Sequence, residues 1–325
     1  MEQNVWKTLH LAEFEKNAQA QFDLGVMYET GRGVRKDDAE AVRWYRQAAA
    51  QGYAAAQYNL GVMYENGRGV RQDDAEAVRW YQQAAEQGYA AAQNNLGAMY
   101  DEGRGVRQDD AEAVRWYRQA AEKGDVQAQN NLGVMCVNGR GVRQDDAEAA
   151  RWFRLAAVAV QGNATAQFNL GFMYAEGRGV RQDDAEVVRW FRQAAEQGNV
   201  RAQFNLGVMY ANGRGVRQDD AEAVRWYWQA AAQGDARAQN NLGFMYEEGR
   251  GVRKDDAEAV RWYRQAAEQG YAAAQNNLGV MYDEGRGVRQ DDAEAVKWYR
   301  QAAAQGDVQA QNNLGFMYAE GRGVR

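Results

Sequence analysis

The sequence predicts an all-α protein, a solenoid of about nine helix-turn-helix repeats of 36 residues. Three observations predict it. The pair Leu-Gly recurs at Leu24, Leu60, Leu96, Leu132, Leu170, Leu206, Leu242, Leu278 and Leu314, 36 residues apart in every interval but that from Leu132 to Leu170, which is 38. Each period holds two stretches with apolar residues at helical spacing. Proline is absent, while the 35 glycines fall mostly at regular intervals. Glycine ends a helix by taking the left-handed conformation that closes its C-terminus. Two short helices cannot bury their apolar faces alone, so units of this length must stack.

Taken in order, residues 2–16 read as a diverged second helix that caps the N-terminus. Aligning Trp6 with Trp152 also aligns Leu9 with Leu155 and Asn17 with Asn163. Residues 17–325 then form the repeats of a single solenoid domain, the last one incomplete. The first helix of a unit runs, for example, from Ala54 to Asn66. It places Leu60, Met63 and Tyr64 on one side and ends at Gly67. Gly61 lies inside it at a cost of roughly 1 kcal/mol against Ala, and its presence in all nine units predicts a close helix crossing. The second helix runs from Asp74 to Glu86, with Asp73 as N-cap and Glu76 at capping-box spacing. Val78, Trp80, Tyr81, Ala84 and Ala85 form its apolar side. The fourth unit is irregular, with Cys136 for Tyr, Ala150 for Val and a two-residue insertion within residues 158–160. We expect the stack to be weakest there.

The string Leu60-Gly61, Tyr64, Gly67, Gly69-Val70, Asp73, Trp80-Tyr81, Ala84-Ala85 resembles the Sel-one-like repeat family, relatives of the tetratricopeptide repeats. The resemblance recurs nine times from Asn17 onward. It implies a right-handed αα-superhelix that scaffolds protein complexes, with first helices lining the concave side. Some secreted members carry a cysteine pair in each repeat, and this chain, with one cysteine, does not resemble them.

Composition narrows the function classes. The net charge of −6 comes from alternating acidic and arginine residues, which argues against a nucleic-acid partner needing a basic face. No apolar run approaches the ~20 residues that cross a bilayer. Met1-Glu2-Gln3-Asn4 does not resemble a secretory leader, so we expect a cytoplasmic protein, or a periplasmic or secreted one if a leader has been removed. The sole histidine, His10, falls in the cap and reads as an ordinary residue rather than a general base. The Asp-Asp pairs recur at helix starts, where aspartate caps backbone N–H groups. The Gly-Arg-Gly triplets follow helices, not strands, which excludes a dinucleotide loop. We expect no catalytic residues, no metal and no cofactor. Cys136 reads as a small buried hydrophobe, with a reactive thiol as the alternative.

Differences among the copies point to function. Counted from the Leu of Leu-Gly, the first helix varies at −5, −2, +2, +5 and +6, positions that share a helix face, whereas the second helix is nearly uniform. Arg and large aromatics dominate interface hot spots and cores. We therefore take Phe168, Phe172, Arg201, Phe204, Arg237 and Phe244 as candidate partner-binding residues, with Tyr58, Asn94 and Asn130 at position −2 of earlier repeats. Packing between units is the competing role for position −2. The last-turn acids, such as Glu65, Asp101, Glu247 and Asp283, have two readings, local pairs with loop arginines such as Arg68 and Arg104 or an acidic rim. Trp228, where other units have Arg or Gln, is expected on the outer surface. The expected function is a non-enzymatic scaffold that binds a protein or peptide in the groove; the alternative is an assembler that self-associates through its C-terminal repeat.

Overall fold

The computed structural model describes residues 2–159 and 162–323. It contains eighteen helices and no strand among the described residues. Helix α1 (Glu2–Glu13) precedes nine first helices: α2 (Ala18–Thr30), α4 (Ala54–Asn66), α6 (Ala90–Glu102), α8 (Val126–Asn138), α10 (Ala164–Glu176), α12 (Val200–Asn212), α14 (Ala236–Glu248), α16 (Ala272–Glu284) and α18 (Val308–Ala319). Between them lie the second helices: α3 (Asp38–Ala50), α5 (Asp74–Glu86), α7 (Asp110–Glu122), α9 (Asp146–Val158), α11 (Asp184–Glu196), α13 (Asp220–Ala232), α15 (Asp256–Glu268) and α17 (Asp292–Ala304). The chain forms two compact units, residues 1–166 with 178–180, and residues 167–177 with 181–325. Each unit is a stack of antiparallel helix pairs of the αα-solenoid class.

Local chemistry sets the helix ends. Each second helix starts at an aspartate whose carboxylate accepts backbone N–H groups, as Asp73 does from Glu76 at 3.0 Å. The expected capping box is only half made. Glu76 turns to Arg79 at 2.5 Å, while the Asp73 N–H donates to the Tyr64 carbonyl at 3.0 Å. The first helices end on left-handed glycines such as Gly67 (φ 64°). The second glycine of each Gly-Arg-Gly turn is under a stronger constraint. A Cβ on Gly69 (φ 67°) would overlap the Asp38 carbonyl of the preceding second helix.

The Leu-Gly pair supplies the core. Leu60 is fully buried, and a Cβ on Gly61 would lie 2.6 Å from the Tyr81 ring. The glycine is thus a notch that lets the aromatic of the following helix reach the backbone, and the close crossing outweighs the propensity cost. Behind it runs a polar ladder that the sequence reading missed. Buried Gln57 donates to the Ala49 carbonyl at 3.2 Å and to Gln83 at 3.2 Å, and accepts from Gln87 at 2.6 Å. Gln203 repeats this with Ala195, Gln229 and Gln233. A buried amide must be satisfied, so three glutamines per repeat join two successive second helices through the first helix between them.

Helix α1 lies where a cap was expected, with Ala12 buried against Leu24 and Trp44. The alignment of Trp6 with Trp152 does not hold. Gln21 donates to the Ala12 carbonyl as Gln57 does to that of Ala49, which puts Trp6 at the place of Arg43. Trp6 is accordingly 70% exposed while Trp152 is 4% exposed. In the irregular fourth repeat, Ala150 is buried and Leu155, where most copies have the ladder glutamine, is 44% exposed. The expected insertion, within residues 158–160, includes residue 160, which lies outside the described residues.

Candidate protein-interaction face

The structure sorts the variable first-helix positions into two groups. Positions −5, +2 and +6 carry the exposed variation. Phe172 is 46% exposed and Phe244 41%, where other copies have half-buried valines such as Val208 and Val280. Arg201 and Arg237 are exposed at position −5. All four residues belong to the second unit.

Position −2 is a packing slot between successive repeats. Phe168 is half-buried and stacks on Phe191, ring centres 5.3 Å apart and 16° between planes. Phe204 is half-buried beside Tyr227 at 6.1 Å, and the Arg237 guanidinium lies 4.2 Å over its outer face. Asp235 also holds that guanidinium at 2.7 Å, and this hydrogen bond raises the Arg237 pKa further above its already high ordinary value. Tyr58 is wedged between Tyr81 and Tyr89, 5.9 and 5.2 Å away. Asn94 and Asn130 are buried at 9% and 5% exposure, and Asn94 accepts from Asn131 of the next repeat at 3.2 Å. Of the nine candidates, Phe172, Arg201, Arg237 and Phe244 are exposed, Phe168, Phe204 and Tyr58 show one edge, and the two asparagines are enclosed. The reason is geometric: position −2 points along the stack toward the next repeat, whereas −5 and +2 point away from it.

The acids at position +5 pair with arginines, but not with those of their own loop. Glu65 meets Arg104 of the following repeat at 2.7 Å, and Glu29 meets Arg68 at 2.9 Å. Arg68 also grips Asp38, the second aspartate of the Asp-Asp pair, at 3.2 Å. Arg322 clamps Asp283 and Asp292 in the same way. Arg104 and Arg286 instead join the acid of the preceding repeat to Glu102 and Glu284 of their own helix ends, at 2.7 and 2.6 Å, the local pair the sequence suggested. Arg68, Arg140 and Arg322 therefore each tie three successive helices together. The carboxylate has a second partner, since the buried Tyr45, Tyr81 and Tyr263 hydroxyls donate to Glu29, Glu65 and Glu247 at 2.6 Å. Burial and the neighbouring carboxylate raise the pKa of these tyrosines far above the ordinary value. Where position +5 is Val137 or Ala175, the ring beyond it is Phe153 or Phe191. In these two repeats the missing acceptor and the missing hydroxyl go together, although beyond Ala211 the ring is Tyr227.

Among the described residues no three His, Cys, Asp or Glu side chains gather in a way that could hold a metal ion. No helix there is long and apolar enough to cross a membrane. Cys136 is fully buried, and burial pushes its thiol up to about 11, which fits the small-hydrophobe reading. Trp228 is 53% exposed on α13. The depressions beside the turns, one lined by Tyr64, Arg71 and Asp73 and another by Tyr210, Val216, Arg217 and Asp219, mix polar and apolar side chains and repeat with the period. None gathers a nucleophile with a base.

Helix pairs held by a glycine notch, a glutamine ladder and an inter-repeat arginine clamp define an αα-repeat protein. The Sel1 repeat model matches residues 18–53, 54–89, 90–125, 126–157, 164–199, 200–235, 236–271, 272–307 and 308–325, and the chain belongs to the Sel1 repeat family. A protective antigen of uropathogenic Escherichia coli with an SLR fold superposes with a TM-score of 0.92 at 42% identity, over 97% of this chain and 67% of that one. A Sel1 repeat protein from Oxalobacter formigenes gives 0.70 at 36% identity, over 96% and 89%. The mouse protein named DAP3-binding cell death enhancer 1 is 45% identical over 51 residues, which is 16% of this chain and only 10% of the mouse protein. Sel1 repeat proteins are, as a class, non-enzymatic protein-interaction scaffolds.

Proposed function

We propose that this chain is a scaffold that holds a segment of a partner protein against the exposed first-helix face of its second unit. The supporting observation is the contrast inside the repeat. Apart from the slot at position −2, the copies largely agree where residues pack between helices, and the exposed face departs from uniformity with Phe172, Arg201, Arg237 and Phe244. An exposed phenylalanine costs solubility and adds little to the fold, while arginine beside an aromatic ring is a common interface anchor. The segment would place apolar side chains against Phe172 and Phe244 and a carboxylate on Arg201. Phe204, with Arg237 stacked on it, supplies a rigid floor. The name of the mouse relative, a DAP3-binding protein, adds that repeats of this type occur in a protein-binding protein.

Affinity capture with the wild-type chain beside a Phe172→Ala, Arg201→Ala, Phe244→Ala variant tests the reading. None of the three side chains is buried, so the variant folds, and circular dichroism checks this. A partner retained by the wild type and lost by the variant is the expected result. Equal retention by both would move the site elsewhere. The competing reading, assembly of copies through α18, requires a mass that rises with concentration.

A further inference from the structure

The first helices α10, α12 and α14 of the second unit differ in height. At position +2 they carry Phe172, Val208 and Phe244; both rings are exposed, whereas Val208 is half-buried and packs against the core that holds Leu242 and Met245. The rest of the α12 stripe is low as well. Asn205 turns its amide back to the Arg201 carbonyl at 2.7 Å, and Asn212 turns to that of Val208 at 2.9 Å. Both side chains therefore lie along their own helix. Phe172 and Phe244 thus wall a trough whose floor is the stripe Arg201, Asn205, Val208 and Asn212, spaced i, i+4, i+7 and i+11 on one helix face. The first unit has no aromatic walls of this kind, since its residues at +2 are Val26, Val62, Ala98 and Val134. The trough is also charged at both ends. Arg201 is exposed and makes no ion pair among the described residues, unlike Arg237, which Asp235 holds at 2.7 Å. At the other end Glu176 and Glu248, position +6 of the two walling helices, are exposed and make no ion pair there either.

We propose that the partner segment is an amphipathic α-helix lying along α12. It sets a carboxylate over Arg201, apolar side chains on Val208 between the two rings, and a lysine or arginine between Glu176 and Glu248. The proposal rests on the interaction face described above and adds the form and charge order of its occupant. Width selects a helix. Packed helices stand about 8–10 Å apart, so α10 and α14 leave roughly 16–20 Å between their axes. That is room for one helix of about 10–12 Å diameter. An extended strand, about 5 Å across in its hydrogen-bonding direction, would leave one wall untouched. Length fixes the charges. Residues 201 and 212 are eleven positions apart, about 16 Å of helix. The acid and the base on the partner therefore stand about eleven residues apart, with apolar residues between them at helical spacing. Opposite charges at the two ends complement those of the trough and set the segment's direction along it.

The test pans a yeast-displayed library of random segments, each just over four helical turns or about sixteen residues long, against the full chain. Bound segments should show apolar residues at helical spacing, an acidic residue toward one end and a basic residue toward the other. As free peptides, read by fluorescence anisotropy, they should lose about tenfold or more in affinity for Val208→Phe, which fills the trough, and for Arg201→Glu. Replacing the peptide's acidic residue by lysine should restore binding to Arg201→Glu, and Val134→Phe in the first unit should change nothing. Phenylalanine already stands at +2 in α10 and α14, so Val208→Phe folds; circular dichroism checks this. An absence of binding segments, or segments that bind equally to a Phe172→Ala, Phe244→Ala chain, would overturn the interaction face and this proposal with it. Segments lost on Phe172→Ala, Phe244→Ala but patterned with period two, broken by proline, or indifferent to Val208→Phe would leave the face standing and overturn the helix.

Discussion

Lys123→Gln should stabilise the protein. In the regular repeats the buried first-helix glutamine accepts from a loop glutamine, Gln57 from Gln87 at 2.6 Å and Gln203 from Gln233 at 2.8 Å. In the repeat of Gln93 the loop residue is Lys123, whose ammonium instead reaches the Gly88 carbonyl at 2.6 Å. Gln93 is 1% exposed, and its carbonyl oxygen is left buried with no hydrogen-bond partner. An orphaned buried acceptor costs about 1–3 kcal/mol. Glutamine at 123 would supply the missing donor, and it need not abandon Gly88, since Gln233 also reaches the Gly198 carbonyl at 3.2 Å. The exposed lysine contact that is lost contributes under about 1 kcal/mol, so the net expectation is a gain of about 1 kcal/mol. Gln87→Lys, the reverse change, should orphan Gln57 and cost about 1–2 kcal/mol. Urea unfolding of both variants gives the comparison. Amide exchange within α6 and α7 localises it, because repeat stacks need not unfold in one step. If Lys123→Gln unfolds at or below the wild-type urea concentration, the accounting of the glutamine ladder is wrong.

Three further outcomes follow from the same contacts. Glu65→Ala removes the acceptor of the buried Tyr81 hydroxyl and one partner of Arg104, and should cost about 2 kcal/mol; adding Tyr81→Phe should recover about half, and a double variant no more stable than the single would contradict the pairing. With its pKa pushed up to about 11 by burial, Cys136 should react with a thiol reagent at pH 8 at least ~100-fold more slowly in the folded protein than in urea; fast labelling of the folded chain would contradict its burial. The hydrogen bond from Arg250 lowers the Asp220 pKa below the ordinary 3.8. A carboxylate with a folded pKa below its unfolded one adds stability above the unfolded value and loses it as pH falls through the folded one. Arg250→Ala should therefore flatten the acid limb of Tm against pH below about pH 4, and an unchanged limb would show that the pair does not form.

Much of this was legible in one sequence because the chain repeats itself. The helices Ala54–Asn66 and Asp74–Glu86 follow from Gly67, Asp73 and the apolar spacing alone, and the close crossing at Gly61 from its recurrence. Residues whose role depends on a neighbouring repeat were harder to read. Asn94 and Asn130 looked like part of a variable surface stripe, with packing between units as the competing role of position −2, and the stacking geometry decides for packing. The pairing of Glu65 with Arg104 instead of Arg68 has the same origin: the loop arginine reaches back to the preceding repeat, even where, as Arg104 does, it also holds Glu102 of its own helix end. A signal for the bond between the carboxylate and the buried tyrosine was present, since Val137 and Ala175 are followed by Phe153 and Phe191 instead of tyrosine. The glutamine ladder was missed because glutamine is ordinarily a surface residue, and its periodicity was not weighed. The Trp6 alignment failed because a matched pair of aromatics in α1 outweighed the backbone register, which the bond from Gln21 to Ala12 fixes.

The most direct test of the proposed interaction face is site-specific photocrosslinking with a photoreactive phenylalanine analogue at Phe172, Phe244 or Trp228, one at a time. All three positions are exposed, so the analogue leaves the core intact. Crosslinks to one and the same protein from Phe172 and Phe244, with none from Trp228 on the second-helix face, are the predicted result. Crosslinks from Trp228 alone, or from all three without preference, would contradict it.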